Sequence, residues 1–179
     1  FDTKDFLEKG GKITVRQELR KMLCCQSDLP TSIFENVSRF PDFDFSVLQN
    51  DLKKYGELFF LASIGDEELK QRIEAFALEA RKEKTKKEKE AFLLGLLKES
   101  IYAGEYLESI KATYQRICKF KKKLFEKMES EEIKDGELAI VAHYGIIQAW
   151  TATGYDKDKG KYVGQINPKN CQIVDYDLM

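Results

Sequence analysis

Histidine is almost absent from this chain of 179 residues, since His143 is the only one. The four cysteines include no C-x-x-C pair, so a zinc site is not expected. The adjacent Cys24 and Cys25 suit a reduced compartment better than a disulfide-stapled secreted module. We therefore expect an intracellular protein, in the cytoplasm or inside an organelle, that holds no metal and no cofactor.

Long apolar runs and an excess of one charge are also missing. No run approaches the roughly 20 residues that cross a bilayer, so no membrane span is predicted. The 30 basic and 31 acidic residues give a net charge of -1, which supplies no basic field for nucleic acid. With 42% hydrophobic residues the chain can bury a core, and its length favours one domain. Because it opens with Phe1 rather than Met, we expect a processed chain or a piece of a longer one.

The first third of the chain indicates short helices and a strand. Residues 2–9 predict a short helix, which Gly10 and Gly11 end. The β-branched residues 12–15 then predict a strand. Residues 30–55 predict two further short helices, because helix-starting Ser and Thr precede apolar residues at helical spacing.

Residues 66–104 are predicted to form a helical insertion. Its apolar stripe stops at residues 81–90, where lysine and glutamate dominate, and resumes at residues 91–101. Opposite charges three and four residues apart favour an exposed helix or a solvated hairpin. A protein-docking surface is the alternative interpretation of this charged run.

The C-terminal half predicts a long helix, a buried strand, a second helix and a last strand. Apolar residues from Leu107 to Met128 form one face of an amphipathic helix. Residues 137–142 are a short continuous apolar run, which is typical of a strand buried on both faces of a parallel sheet. A helix then follows and ends at Gly154. After a loop rich in Lys, Asp and Gly, residues 170–176 predict the closing strand.

His143 is the candidate site residue, because it follows this apolar run directly. In open α/β sheets, ligands bind beyond the carboxyl ends of the strands, where a helix N-terminus offers free N–H groups to an anion. Gly145 lets the backbone come close, and a protonated imidazole can donate to a phosphoryl oxygen or transfer a proton. We therefore predict His143 and Gly145 as phosphate-binding residues. A purely structural hydrogen bond from His143 is the alternative.

The order of motifs supports a family resemblance. Glu108 and Ser109 precede Arg116 in a helix, residues 137–145 read ELAIVAHYG, and a strand around Ile173 closes the chain. This order resembles the C-terminal half of the histidine phosphatase superfamily, the phosphoglycerate-mutase-like fold. The resemblance implies an α/β fold, here a partial parallel-sheet sandwich with long helices and a charged helical insertion. It also implies phosphomonoester hydrolysis or phosphoryl transfer through a phosphohistidine, without a metal.

The resemblance is good over residues 106–178, weaker over residues 13–45 and absent in the insertion. The Arg-His-Gly motif that carries the family's nucleophile is missing. Because no other histidine exists, His143 corresponds to the second, phosphate-contacting histidine. Lys21 stands where the family has its general acid, and Glu18 is the remaining acid candidate after a local shift.

These departures favour one function and leave two others open. We expect residues 1–179 to be a single incomplete phosphoglycerate-mutase-like domain, degenerate, that acts as a structural or interaction subunit of a larger assembly. The first alternative is an active phosphomonoesterase whose N-terminal part, with the Arg-His-Gly motif, is missing from this sequence. The second is an unrelated α/β or α+β binding domain.

The resemblance also predicts a gap beside the His143 strand. In that fold the strand lies beside the first strand, in the middle of the sheet. Residues 138–142 would then lack a neighbour on one side, and a bare strand of this hydrophobicity aggregates. We expect another polypeptide, or another segment of this chain, to fill the gap.

Overall fold

The computed structural model of the chain describes residues 3–23, 28, 31–63, 108–130, 138–169 and 172–174, and scattered positions between 67 and 99. The α-helices among them are α1 (Thr3–Glu8), α2 (Ile33–Arg39), α3 (Gln49–Tyr55), α4 (Ile110–Glu129) and α5 (Tyr144–Thr151). Short 3-10 helices span Gln17–Leu19, Ser46–Leu48 and Gly56–Ser63. Two strands, β1 (Gly154–Asp156) and β2 (Lys161–Val163), form an antiparallel pair. The described architecture is thus broadly α/β, with helices and a small sheet.

The short helices lie where the sequence predicts them. Helix α1 falls within residues 2–9, and the chain leaves it through Gly10, whose φ of 85° is one that glycine adopts without strain. Helices α2 and α3 are the two predicted within residues 30–55. Nearby residues were sufficient to predict these helices, because the residues around a helix end determine where the helix starts and stops.

Helices α4 and α5 pack together and form the main described core. Ile117, Phe120 and Leu124 of α4 contact Ile146 and Trp150 of α5 within one buried cluster. A hydrogen bond also joins the two helices, since Lys121 Nζ of α4 donates to the carbonyl oxygen of Trp150 of α5 at 3.0 Å. The predicted amphipathic face of the long helix is thus covered in part, since Ile117, Leu124 and Met128 lie in this core while Ile110 is exposed.

Helix α5 ends three residues earlier than predicted. It ends at Thr151, and the N–H of Ala152 donates to the carbonyl of Gln148. Gly154 is instead the first residue of β1, opposite Val163 in β2. This hairpin lies in the predicted loop after α5, so the sequence analysis missed both of its strands.

The predicted parallel sheet is not confirmed. Within the described residues, the predicted strand 12–15 reduces to a single parallel bridge between Thr14 and Asp44. The N–H of Val15 donates to the carbonyl of Asp44 at 3.0 Å, and the N–H of Asp44 donates to that of Ile13 at 2.8 Å. One bridge joins two chain segments without extending into a sheet.

The expectation that residues 137–142 are buried on both faces is wrong for the described part, residues 138–142. These residues are not assigned to a strand, and Val141 is 84% exposed. Ile140 and Ala142 do pack against the α4/α5 core. An apolar run is buried on two faces only where a second layer covers it, and among the described residues one face of this segment is uncovered.

Two other predicted regions are described in part. Between residues 67 and 99, the described positions are helical except Thr85, and that these residues are an insertion stays a prediction. In the predicted last strand, residues 172–174 are described and are not assigned to a strand, while 170, 171, 175 and 176 lie outside the described residues. No helix in the described ranges has the length and apolar character needed to cross a membrane.

Candidate functional site

His143 caps the N-terminus of α5 with its backbone rather than its side chain. Its φ and ψ of -70° and 155° are extended, and its carbonyl accepts hydrogen bonds from the N–H groups of Ile146 and Ile147 at 2.9 and 3.1 Å. The imidazole makes no capping hydrogen bond and the residue is exposed. The predicted position at a helix N-terminus is thus present, with the ring open to solvent.

Gly145 lies in the first turn of α5 and leaves space beside it. A Cβ built at this position would meet nothing within 4 Å apart from its own helix backbone and chain neighbours. Packing within the chain therefore does not require glycine here. The space is compatible with a small ligand near the His143 backbone, and equally with a larger side chain.

A polar network lies on the exposed side of α5, next to His143. Gln148 Nε2 donates to Tyr144 Oη at 2.9 Å and to Asn167 Oδ1 at 2.7 Å, and Tyr144 Oη donates to Asn167 Oδ1 at 3.3 Å. The sequence analysis did not find these residues. The available signal was the spacing of four between Tyr144 and Gln148, which places them on one helix face.

Glu108 is the centre of a buried ionic cluster. Arg116 binds it with two parallel hydrogen bonds, Nε to Oε1 at 2.8 Å and Nη2 to Oε2 at 3.0 Å. Arg20 Nη1 binds Oε2 at 2.7 Å. The backbone of Leu23 also joins, because its carbonyl accepts from the N–H of Glu108 at 2.8 Å. Glu108 and Arg116 are each only 2% exposed.

The electrostatics of this cluster favour the ionised carboxylate. Burial by itself would raise the pKa of Glu108, but attraction and hydrogen bonds from Arg20 and Arg116 hold it below its ordinary value. Burial and then repulsion from Arg116 lower the pKa of Arg20 to about 10. At neutral pH Glu108 and Arg20 are therefore both charged.

The arginine donors point into the protein. Arg116 Nη1 donates to the backbone carbonyls of Glu18 and Arg20. Arg20 donates through Nη1 to the carbonyl of Lys21 at 2.9 Å and through Nε to that of Phe60 at 3.4 Å. Among the described residues, Nη2 of Arg20 is buried without a hydrogen-bond partner. The cluster holds the 3-10 turn Gln17–Leu19 against α4.

Glu18 and Lys21 are bound in ion pairs of their own. The Glu18 carboxylate accepts from Arg16 Nη2 at 3.0 Å, and the Arg16 guanidinium lies 5.0 Å from the centre of the Phe120 ring. Lys21 pairs with the buried Asp28 at 2.5 Å. No described contact joins Glu18 to His143, so the predicted acid and the predicted phosphate-contacting histidine are not brought together by direct contact.

Ser109 caps α4, which gives the Glu-Ser motif two structural roles. Its Oγ accepts from the N–H of Ala112 at 3.0 Å, while Glu108 binds the two arginines. The sequence analysis singled out Glu108, Ser109 and Arg116. It missed that Arg20 binds the same carboxylate, since the only signal was an arginine far away in the chain.

A groove of about 480 Å³ lies beside α4, away from the predicted site residues. It is lined by Tyr114, Cys118, Lys121, Phe125, Ala152 and neighbouring residues of α4, and not by His143 or Gly145. The described residues contain no group of three His, Cys, Asp or Glu side chains placed to hold a metal ion. Comparisons of the chain with protein-family models, with curated proteins and with solved structures found no match.

Proposed function

We propose that this chain is a degenerate histidine-phosphatase-like domain that serves as a structural or interaction subunit of a larger assembly. The single observation that carries the proposal is the bonding of Arg116 and Arg20 around Glu108. A phosphatase of this mechanism needs cationic donors turned towards the substrate. Here both guanidiniums bind a buried carboxylate and backbone carbonyls instead.

Releasing Arg116 for a substrate would be costly. Its Nε and Nη2 bind Glu108 and its Nη1 binds two carbonyls, so four of its five N–H groups already have acceptors within the protein. Separating the pair would leave the buried carboxylate with Arg20 alone, and breaking a buried ion pair typically costs about 3–5 kcal/mol. This supports a role for the cluster in joining the N-terminal turn to α4 rather than in binding substrate.

The acid and the nucleophile of the phosphohistidine mechanism lack counterparts. Lys21 replaces the acid and is bound to Asp28, while Glu18 is bound to Arg16. His143 is the only imidazole in the sequence, so a phosphate-contacting histidine and a separate nucleophilic histidine cannot both be supplied. Loss of the nucleophile removes the covalent route entirely.

The proposal includes the finer fold expectation of a parallel-sheet sandwich. In that fold residues 137–142 would be a strand, and a strand from another polypeptide would lie beside it. The exposed Val141 and the apolar character of its neighbours support this need for a partner. An experimental structure of the assembled complex tests whether the neighbouring strand runs parallel.

One observation favours the active phosphomonoesterase as the second candidate. The imidazole of His143 is exposed at the N-terminus of α5, and space remains beside Gly145. Such a position suits an anion. On this alternative, a longer polypeptide supplies the Arg-His-Gly motif.

Hydrolysis of p-nitrophenyl phosphate distinguishes the two functions. The assay uses the natural polypeptide that contains residues 1–179, since the alternative needs the Arg-His-Gly motif, and we expect this polypeptide to release p-nitrophenol no faster than its His143→Ala variant. The exposed Ile173→Ala variant is the matched control for handling and purity. Turnover that His143→Ala removes and Ile173→Ala retains would overturn the proposal in favour of the enzyme.

A further inference from the structure

We propose that α4 binds an acidic amphipathic helix of another protein, in the groove that runs along α4 from Tyr114 to Phe125. The inference rests on the proposed interaction function and specifies the chemistry of the partner. Three features carry it: a groove with an apolar floor, a row of lysines beside that groove, and a glutamate of this chain that already contacts the row.

The groove follows one face of α4. Tyr114, Cys118, Lys121 and Phe125 line it at spacings of four, three and four residues, which is the periodicity of a single helix face. At about 1.5 Å per residue, the stretch from Tyr114 to Phe125 is about 17 Å long, or about three helical turns. A partner helix of at least this length therefore matches the groove.

The floor of the groove is apolar, and the hairpin supports one wall of it. The buried Ala152 and the half-buried Phe125 line the floor. The Tyr114 ring stacks on Tyr155 of β1 at 6.2 Å and lies 6.0 Å from the Tyr162 ring of β2. A wall that is already packed does not have to be ordered when a partner binds. Grooves of this kind accept the apolar residues of an amphipathic helix.

A row of lysines lies on the exposed side of α4, next to the groove. Its members are Lys111, Lys119, Lys122 and Lys123, and Lys122 also lines the groove. Counted from Lys119, the others lie at positions -8, +3 and +4, so the four share one side of the helix. Helix α4 contains six lysines and two glutamates, whereas the whole chain has a net charge of only -1. This local excess favours an acidic partner and opposes a basic one.

A carboxylate of the chain itself shows what the lysine row accepts. Glu67 is a helical residue, and its Oε1 lies 3.7 Å from Lys119 Nζ, with both side chains 64% exposed. Among the described residues, neither Lys111 nor Lys123 has an ion-pair partner. The row therefore receives one glutamate from a helical segment and has ammonium groups available for more.

A nucleic acid or an anionic membrane fits this surface less well. Glu126 and Glu129 line the same groove and would repel a phosphate backbone or lipid phosphates. The Tyr114 ring is stacked on Tyr155 and is not offered to a base. The apolar floor is recessed, whereas a membrane-binding helix projects its apolar face into the bilayer. A partner helix matches both charges, with its acidic residues facing the lysines and its positive N-terminal end facing the two glutamates.

A model peptide tests the binding. The probe is a fluorescein-labelled helix of about 18 residues, with leucine at the a and d positions of its heptads and glutamate elsewhere. By fluorescence anisotropy at low salt, we expect the natural polypeptide that contains residues 1–179 to bind it with a dissociation constant on the order of 100 µM. Binding should weaken at about 0.5 M salt. Peptides with lysine in place of glutamate, or with serine in place of leucine, should not bind.

Charge reversal tests the lysine row. We expect the double variant Lys119→Glu/Lys122→Glu to raise the dissociation constant about tenfold. The matched control is Lys4→Glu/Lys9→Glu, which makes the same change in net charge. Lys4 and Lys9 are exposed and, like Lys122, each pairs with an acidic residue four positions away. The control should bind the peptide as the unmodified polypeptide does.

Cys118 reports where the peptide binds. Its thiol lines the groove and the residue is half-buried, so a bound peptide should slow its alkylation by iodoacetamide. Mass spectrometry of the tryptic fragment that contains Cys118 measures the rate. The slowing should follow the fraction of polypeptide bound, and the lysine-containing peptide should cause none.

Three results would overturn the inference: no saturable binding up to about 1 mM peptide, an affinity that Lys119→Glu/Lys122→Glu lowers no more than the control does, or an unchanged alkylation rate of Cys118. Tighter binding of a single-stranded oligonucleotide, or of phosphatidylcholine vesicles containing phosphatidylserine, would also overturn it. The two proposals fail separately. Absence of peptide binding without phosphatase turnover contradicts the groove and leaves the interaction function to another surface. Turnover that depends on His143 contradicts the proposed function whatever the peptide does.

Discussion

Arg116 binds Glu108 through two parallel hydrogen bonds of 2.8 and 3.0 Å, and both side chains are buried. The two residues are eight positions apart in the sequence, and the pair fixes the chain just before α4 to the helix itself. Arg20 joins from the N-terminal turn and binds the same carboxylate. This cluster therefore ties together segments that are far apart in the chain.

Removing the carboxylate should destabilise the fold strongly. In Glu108→Gln, the guanidiniums of Arg20 and Arg116 remain buried with no negative charge between them, so we expect a loss of about 3–5 kcal/mol in the free energy of unfolding. Urea denaturation at neutral pH measures the change. Glu8→Gln is the matched control, since among the described residues Glu8 pairs with the exposed Lys4 alone, and its expected effect is below about 0.5 kcal/mol. An equal, small effect of both substitutions would contradict a structural role for the cluster.

The same carboxylate predicts acid sensitivity. The folded-state pKa of Glu108 lies below its ordinary value of 4.5, because the attraction of Arg20 and Arg116 outweighs the cost of burial. Its contribution to stability is therefore fully present above about pH 4.5 and is lost as the pH falls through the lowered folded-state value. Free energies of unfolding measured from neutral pH downward should fall in this acidic range. Glu108→Gln should flatten that part of the profile, and an unchanged slope would contradict the assignment.

The helices could be predicted from the sequence because their signals are local. The apolar spacing in α4 and the serine before it are contained within a few turns. The hairpin β1–β2 was missed because each strand has only three residues, too few for alternation to be recognised. Its signal was Asp156, whose carboxylate accepts from two turn N–H groups, followed by Gly160 at a φ of 61°.

The candidate site was predictable only in its local parts. The position of His143 before a helix is one that neighbouring residues define, whereas Ser109, which the sequence analysis placed inside the long helix, is the N-cap of α4. The bond from Arg20 to Glu108 spans 88 residues, and no local pattern reports a contact of that range. The exposure of Val141 was equally hidden, because the apolar sequence is the same whether or not a second layer covers it.

The third prediction concerns the stability of the α4/α5 core, which the fluorescence of a buried tryptophan reports. Trp150 is the only tryptophan, and it packs in the cluster that contains the fully buried Ile117. Ile117→Ala should leave a cavity beside it and lower the free energy of unfolding by about 2–5 kcal/mol. Trp150 fluorescence during urea unfolding measures this loss. Ile173→Ala removes the same atoms from an exposed residue and should change stability by less than about 0.5 kcal/mol, so equal losses would contradict the described packing.

The N-cap of α4 supplies the last prediction. Ser109 Oγ accepts from the N–H of Ala112 at 3.0 Å, which satisfies one of the free donors in the first turn. Ser109→Ala should therefore lower the free energy of unfolding by about 1 kcal/mol, and Ser109→Asn should retain most of it, because asparagine caps as well as serine. Ser130→Ala, at the other end of α4, removes a hydroxyl that only donates to the carbonyl of Lys127, and it should have a smaller effect. If Ser109→Asn were as destabilising as Ser109→Ala, the serine would act through some contact other than the cap.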